Sequence, residues 1–476
     1  MSLKVKTISG VKWTTASTIF VTVLQLLQLA ILVRFLSPVD FGLMAVVMVV
    51  MGFAGAFIDM GISNAIIHKQ HITHNQLSSL YWLNVFVGFM MFGVVSASAP
   101  FVASFYHDDR LIELIVWIAS TFIIQSFSQQ FGVLWQKEMR FGEIAKIEII
   151  NKSFSFVVSV ALAYQGYGVY SLVYASIAAA TTQTLQYLYL GLKEHRPSLR
   201  FQAEDIRPFM SFGLYQMGER TVNYFNFQID TILIGKLLGL EALGIYNIAK
   251  QIVMRPAQIF NPIVTKVTFP AMSKIQDDIP KLKEVYLKTI NCLSSINFPV
   301  YAFIFVFAHE IVMIMFGAKW LEAVLIIQIL SIWAAWRSTG NPIGSLLMAR
   351  GRADLGFWWN LGLFFYVPFG VWISSHWGLV GVAIGLNAIM ATLVYPGWKF
   401  LTNPLCGAGF VEYHAQILKP ALVAIVAGVG AFLSVTFLDN IWIKFFVGGS
   451  VGLILTLVLN RYFNYEFLDE LKGFVK

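Results

Sequence analysis

The feature that most constrains this chain is a succession of long apolar runs, each about 20 residues or more, separated by short polar turns. About 20 apolar residues in a helix span the hydrocarbon of a bilayer, so each run reads as one membrane crossing. The expected spans are 13–36, 41–66, 77–102, 112–133, 148–164, 168–191, 209–235, 243–265, 289–315, 321–347, 354–375, 378–398, 418–437 and 442–460. The expected fold is therefore all-α and polytopic, with about fourteen transmembrane helices. Only 12% of residues are charged, too few to cover a water-soluble surface of this size. No connection is long enough to hold a soluble domain, so any chemistry must sit among the helices.

The net charge of +8 is orientation information rather than a nucleic-acid footprint, because the basic residues cluster between apolar runs. With the N-terminus inside, most of the 33 Lys and Arg fall on inner segments, for example Lys137, Arg140, Lys146 and Lys152, or Lys281, Lys283 and Lys288. Only Arg34, Arg110, Lys236, Lys319 and Lys444 fall on outer turns. This asymmetry predicts cytoplasmic N- and C-termini. The first run, Trp13 to Leu36, is longer than a signal-peptide core and lacks its small-residue exit, so it is read as a retained helix. Cys292 and Cys406 have neither disulfide nor zinc spacing and are read as packing residues.

Offset by 202 residues, the chain resembles itself. Arg34-Phe35-Leu36-Ser37-Pro38-Val39-Asp40-Phe41-Gly42 runs beside Lys236-Leu237-Leu238-Gly239-Leu240-Glu241-Ala242-Leu243-Gly244. A second echo, at offset 210, sets Gly168-Val169-Tyr170 beside Gly378-Leu379-Val380. Together they lay helices 1–6 over helices 7–12, a parallel repeat of the kind that places a substrate site between halves. The expected organisation is an N-terminal six-helix lobe over 1–192, a cytoplasmic linker over 193–208, a C-terminal six-helix lobe over 209–402, and two added helices with a cytoplasmic tail over 403–476. The added helices carry small-residue ridges (Ala424, Ala427, Gly428; Gly448, Gly449, Gly452) suited to close packing.

Ionisable groups in hydrocarbon are costly and mark watery cavities or mutual pairs. In helix 7, Glu219, Asn223, Asn226 and Asp230 share one helical face, flanked by Gln216 and Arg220. Helix 8 repeats the pattern with Asn247, Gln251, Arg255, Gln258 and Asn261, with Lys250 at its edge. Helix 1 offers Thr14, Thr18, Thr22, Gln25 and Gln28, and helix 2 offers Gly52, Gly55 and Asp59. These four faces are expected to converge on a central cavity, with Arg337 of helix 10 as a further buried cation. Pro256, Pro262, Pro342 and Gly344 supply kinks. Pairing of Arg220 or Arg255 with Glu219 or Asp59 is the purely structural alternative. Cations nevertheless outnumber anions, and guanidinium groups suit phosphate, so the expected guest is anionic.

Weaker candidates are His68, His71 and His74, read as a solvated loop, and Glu310 beside His309, a possible ion site. Asp59, Glu219 and Glu310 are the candidates for a coupling ion. No enzymatic motif, metal site or bound cofactor is expected.

The turn Leu36-Ser37-Pro38-Val39-Asp40-Phe41-Gly42, the segment Ser9-Gly10-Val11-Lys12-Trp13, Gly168-Val169-Tyr170-Ser171-Leu172-Val173 and Leu346-Leu347-Met348-Ala349-Arg350-Gly351-Arg352 resemble the polysaccharide-transporter branch of the multidrug/oligosaccharidyl-lipid/polysaccharide exporter superfamily, and within it the Wzx-type flippases. The resemblance implies alternating access that carries an undecaprenyl-diphosphate-linked oligosaccharide from the cytoplasmic to the periplasmic leaflet of a bacterial inner membrane. It implies the lipid-linked oligosaccharide and membrane lipids as partners, with polysaccharide polymerase machinery nearby, and coupling to a proton or sodium gradient or to membrane potential. The diphosphate role maps onto Arg220, Arg255 and Arg337 as the buried cations. A drug exporter of the same superfamily, expected to have a carboxylate-dominated cavity, and a polysaccharide polymerase, expected to have a long outer loop, are the competing readings.

Overall fold

The structure is a computed structural model that describes residues 3–58, 63, 66–67, 69, 72–464 and 467, with side chains described throughout except at 3–9, 11, 56, 207–220 and 222. Asp59, His68 and His71 lie outside the described residues. Every regular element among the described residues is helical. Two compact units emerge, Met1–Gly244 and Ile245–Lys476.

The first unit contains α1 (Leu3–Phe35), α2 (Pro38–Ile58), α3 (His74–Tyr106), α4 (Arg110–Ser126), α5 (Gln129–Lys137), α6 (Phe141–Tyr164), α7 (Tyr170–Glu194), α8 (Ala203–Leu238) and the first turn of α9 (Leu240–Lys274). Here α1 packs on α6, α3 on α4, α7 on both α4 and α6, and α8 on α2 and α3. Local chemistry sets the boundaries. Thr73 and Gln76 form a reciprocal capping box that opens α3. The turn at Gly166-Tyr167-Gly168 relies on two glycines at φ +85° and +52°. Ser37 and Asp40 bond each other's side chains and backbone amides, so only Leu36 and Ser37 separate the end of α1 from the start of α2.

The run 112–133, read as one helix, is instead α4 and α5 meeting at a 49° bend. No Pro or Gly stands at Phe127-Ser128. Tertiary contacts hold the bend: Ser128 Oγ lies 3.0 Å from Thr184 Oγ1 on α7, and Gln130 Nε2 donates to the Leu77 carbonyl at 2.9 Å. Just beyond, Arg140 binds Glu194 at 2.6 Å, pairs with Glu143, and lies over the Trp135 ring at 4.5 Å. The Arg140 guanidinium, helped by the Trp135 indole N–H, holds the Glu194 carboxyl below the usual range.

The second unit continues α9 and adds α10 (Ile279–Val306), α11 (Ala308–Met315), α12 (Glu322–Thr339), α13 (Ile343–Ala349), α14 (Ala353–Ser375), α15 (Gly378–Gly397), α16 (Phe410–Val435) and α17 (Ile441–Phe463). Helix α10 is the hub, packing on α12, α16 and α17. The small-residue ridges of α16 and α17 bring these helices close: a Cβ on Gly452 would stand 3.3 Å from Ala431, and one on Gly448 only 2.1 Å from the Phe307 ring. Between α10, α16 and α17 lies an open apolar groove of about 280 Å³, floored by Ala427, Gly428 and Gly452. Polar ties complete the unit. Asn464 donates to Ser295 Oγ at 2.7 Å, and Asn291 donates to Gln416 at 3.0 Å.

Among the described residues, nine helices are long and apolar enough to cross a membrane, or ten if α4 and α5 form one bent span. The other four expected crossings fall on α7, α8, α9 and α14, which are outside that set. In α9 the reason is the polar stripe itself, since each Asn, Gln, Lys or Arg lowers apolarity over the window; the described side chains of α8 run unbroken only over 223–238, too short a stretch for a full crossing. The chain is thus a multi-pass, all-helical membrane protein.

Candidate functional site

The polar residues divide between the two units. In the first, α8 lies on α2 through a glycine socket: the Tyr224 hydroxyl donates to the Val49 carbonyl at 2.8 Å and sits where a Cβ on Gly52 would be 2.4 Å away. Phe225 adds a ring contact to Phe53, with centroids 5.1 Å apart. On the same helix Asn223 is exposed and Asn226 is half-buried, while Asp230 is buried and accepts from the Thr231 amide at 2.8 Å. The side chains of Gln216, Glu219 and Arg220 lie outside the described residues.

Helix α1 splits its stripe. Thr14 and Thr18 are exposed and Gln25 is half-buried, but Gln28 donates to Ser159 Oγ on α6 at 2.8 Å, so it serves helix packing. Burial also changes along α1 and α2. Leu32, Val33, Leu36, Phe41, Leu43 and Val47 are buried, whereas Met48 and Gly55, farther along α2, are exposed.

In the second unit, α9 carries Lys250, only 7% exposed, with its ammonium 5.7 Å from the Tyr246 ring centroid. Gln251 and Arg255 are half-buried and Gln258 is exposed, on the next turns of the same helix. Three prolines, Pro256, Pro262 and Pro270, lie within α9. Each removes a backbone donor and loosens the helix locally.

Asn261 has a different role from its stripe neighbours. Its Nδ2 donates to the Ser338 carbonyl on α12 at 3.2 Å, and its Oδ1 accepts from Asn297 Nδ2 on α10 at 3.0 Å. This chain clasps three helices and brings Arg337, the neighbour of Ser338, beside the α9 stripe. Arg337 is half-buried and lies over the Trp333 ring at 5.0 Å. Cations thus sit on α9 and α12 within one unit, in apolar helices, where burial makes each dependent on polar or charged surroundings. Glu310 occupies the first turn of α11, where a carboxylate also meets the positive end of the helix dipole. Sequence reasoning passed over Tyr224, Asn297 and Ser338. A Gly facing an aromatic residue at a helix crossing was the available signal for Tyr224. Asn297 follows Asn291, Ser294 and Ser295 on the same helix, and nothing in the sequence set it apart from them.

Among the described residues no group of three or more His, Cys, Asp or Glu is arranged to hold a metal. His74 instead packs edge-on against His195, with ring centroids 4.8 Å apart.

Long apolar helices, polar stripes and buried or half-buried cations mark a polytopic α-helical membrane transporter. The chain belongs to the family described as polysaccharide biosynthesis protein, whose model matches residues 31–325, in the Wzx-type branch of the multidrug/oligosaccharidyl-lipid/polysaccharide exporter superfamily. It is 32% identical to the lipopolysaccharide biosynthesis protein WzxC of Escherichia coli (strain K12), covering 88% of this chain and 86% of that one. It is also 32% identical to the teichuronic acid biosynthesis protein TuaB of Bacillus subtilis (strain 168), covering 90% and 89%. In fold it is similar to the inward closed conformation of the lipid II flippase MurJ, with a TM-score of 0.74 at 13% identity, covering 95% of this chain and 99% of that one.

Proposed function

We propose that this protein is a flippase that moves a lipid-linked oligosaccharide, bearing an undecaprenyl diphosphate, from the cytoplasmic to the periplasmic leaflet during surface-polysaccharide assembly. The observation that carries this reading is the set of cations in apolar helices, Lys250, Arg255 and Arg337, in a chain whose relatives are named for polysaccharide biosynthesis. Arginine forks bind diphosphate oxygens in pairs, and low local dielectric strengthens that attraction. Exposed amides such as Asn223 and Gln258 offer donors and acceptors for sugar hydroxyls.

In this reading fourteen helices cross the membrane, six in each lobe and two beyond, with both termini cytoplasmic. Residues Arg220, Arg255 and Arg337 hold the diphosphate while the prenyl tail stays in lipid. Asp59, Glu219 or Glu310 couples transport to a proton or sodium gradient, or the membrane potential acts directly.

A deletion strain tests the reading. Lipid-linked repeat units are expected to accumulate in the inner leaflet and surface polysaccharide to disappear. Wild-type protein restores export, and Arg255→Ala or Arg337→Ala, expressed at equal level, does not. Normal export in the deletion strain refutes the function, and full rescue by each arginine variant and by their combination refutes the assigned mechanism.

A further inference from the structure

Between α7 and α8 the chain reads His195-Arg196-Pro197-Ser198-Leu199-Arg200-Phe201-Gln202. Pro197 bars a helix and biases the residue before it toward extended backbone, and His195 already leaves α7 extended, at φ −137° and ψ 113°. A polar connection usually runs loosely over the surface. Here it is stitched along the first turns of α3. The Ser198 amide donates to Ser78 Oγ at 3.0 Å, its carbonyl accepts from Trp82 Nε1 at 2.9 Å, and the Gln202 amide donates to Ser79 Oγ at 3.2 Å. Ser79 in turn donates to Asp205 on α8 at 2.9 Å. Ile206 closes this end in an apolar cluster with Ile66, Leu80 and Val133.

The other end of the segment is held by a pair of imidazoles. His195 packs edge-on against His74, the first residue of α3, with ring centroids 4.8 Å apart. His195 Nε2 is buried and has no hydrogen-bond partner among the described residues. Burial, and after it the His74 ring, push His195 below the usual histidine range. The carboxylates of the adjoining elements are engaged elsewhere or exposed. Glu138, Glu143 and Glu194 pair with Arg140, Asp205 accepts from Ser79, and Glu204 is exposed on α8. The neighbouring cations are engaged as well: Lys137 donates to the Lys69 carbonyl at 2.6 Å, Arg196 Nε to the Leu192 carbonyl at 3.3 Å, and Lys193 lies over the Tyr189 ring at 3.8 Å.

We infer that residues 195–202 form a proton-released strap, docked on α3 while His195 is neutral and freed when it takes a proton. An imidazolium at this place is a buried cation set against a second imidazole, an arrangement that costs free energy until the ring leaves for water. The docked state resists protonation, so its advantage is complete above the ordinary histidine value of about 6.5 and shrinks as pH falls below it toward the depressed value. Between pH 7.5 and pH 5.5 the docking equilibrium weakens by up to about tenfold. Glu194, held below its usual range by Arg140, keeps its charge across that interval. Docking and release are independent of what the protein carries. In the orientation expected from the charge pattern, the strap responds to acidification of the cytoplasm.

Hydrogen exchange of the full-length protein in lipid nanodiscs tests the strap, read on the Ser198 and Gln202 amides at pH 7.5 and pH 5.5 and corrected for the intrinsic pH dependence of exchange. The Trp442 and Ile443 amides, which bond the Asn440 side chain, control for that correction. Protection at 198 and 202 is expected to fall by up to about tenfold at pH 5.5 and to stay constant at 442 and 443. His195→Phe keeps a ring against His74 and takes no proton, so its strap should stay protected at both pH values. His195→Gln replaces it if the phenylalanine variant does not accumulate. Protection that is the same at both pH values in the wild type, or that falls equally in the His195 variants, overturns the inference.

Discussion

The clasp of Asn261, Asn297 and Ser338 gives a prediction whose size follows from geometry. Asn261 and Asn297 are 5% and 0% exposed, and Asn297 Oδ1 has no partner among the described residues, so the amide depends on Asn261 alone. Asn261→Ala removes both interhelical bonds. At about 0.6 kcal/mol for each such bond in a membrane bundle, the loss is about 1.2 kcal/mol. The stranded Asn297 amide, buried with neither end paired, raises the cost toward about 3 kcal/mol. Asn297→Leu removes the bond from the other side and leaves Asn261 bound to Ser338. Once Asn297 is gone, Asn261→Ala strands nothing, so the double variant should cost less than the sum of the singles. The shortfall should be about 0.6–1.7 kcal/mol. Purified protein unfolded in graded denaturing detergent and followed by tryptophan fluorescence measures all four corners of the cycle. Strict additivity, within about 0.5 kcal/mol, would show that the two amides do not communicate and would sink the clasp.

Three further outcomes are expected. Gly448→Ala places a Cβ 2.1 Å from the Phe307 ring, which is buried against Ala431 and Val435, and should cost about 1–3 kcal/mol in melting experiments; Gly344→Ala, with nothing within 4 Å, is the neutral control. Tyr224→Phe keeps the ring in its Gly52 socket but loses the bond to Val49, so stability should fall by no more than about 1.7 kcal/mol and a larger drop would assign the hydroxyl another task. Glu194 is held below its usual range by Arg140, so its folded-state contribution is present above the ordinary glutamate range and is lost as pH falls through the depressed value. Thermal stability should therefore decline on acidification below about pH 4.5, and Glu194→Gln should flatten that decline; an unchanged profile would count against the ion pair.

The sequence was legible where one physical cause dominates. Apolar length located the helices, and the capping chemistry of Thr73 and Ser37 and the Gly166–Gly168 turn lie at joints the pattern had marked. It was less legible where tertiary contacts decide. The bend between α4 and α5 has no breaker residue and depends on Thr184 and Leu77, which are distant in sequence. The break between α10 and α11 at Phe307 likewise interrupts a run that reads as continuous. Polar stripes were not sorted, because periodicity cannot separate an amide that faces water from one that bonds a neighbouring helix. Gln28 and Asn261 prove to be packing residues, while Asn223 and Gln258 are exposed.

Where the first turn of α9 crosses the first turn of α2, Gly42 meets the Leu240 carbonyl and Gly244 the Pro38 carbonyl, a contact with the form of an isologous interface, in which position i meets j and j meets i. Homodimers make such contacts with two copies of one surface, so a single small residue serves both sides. Duplication and fusion of that gene would carry the contact into one chain already self-complementary. Each glycine is then constrained by the opposite repeat's backbone rather than by its own neighbours.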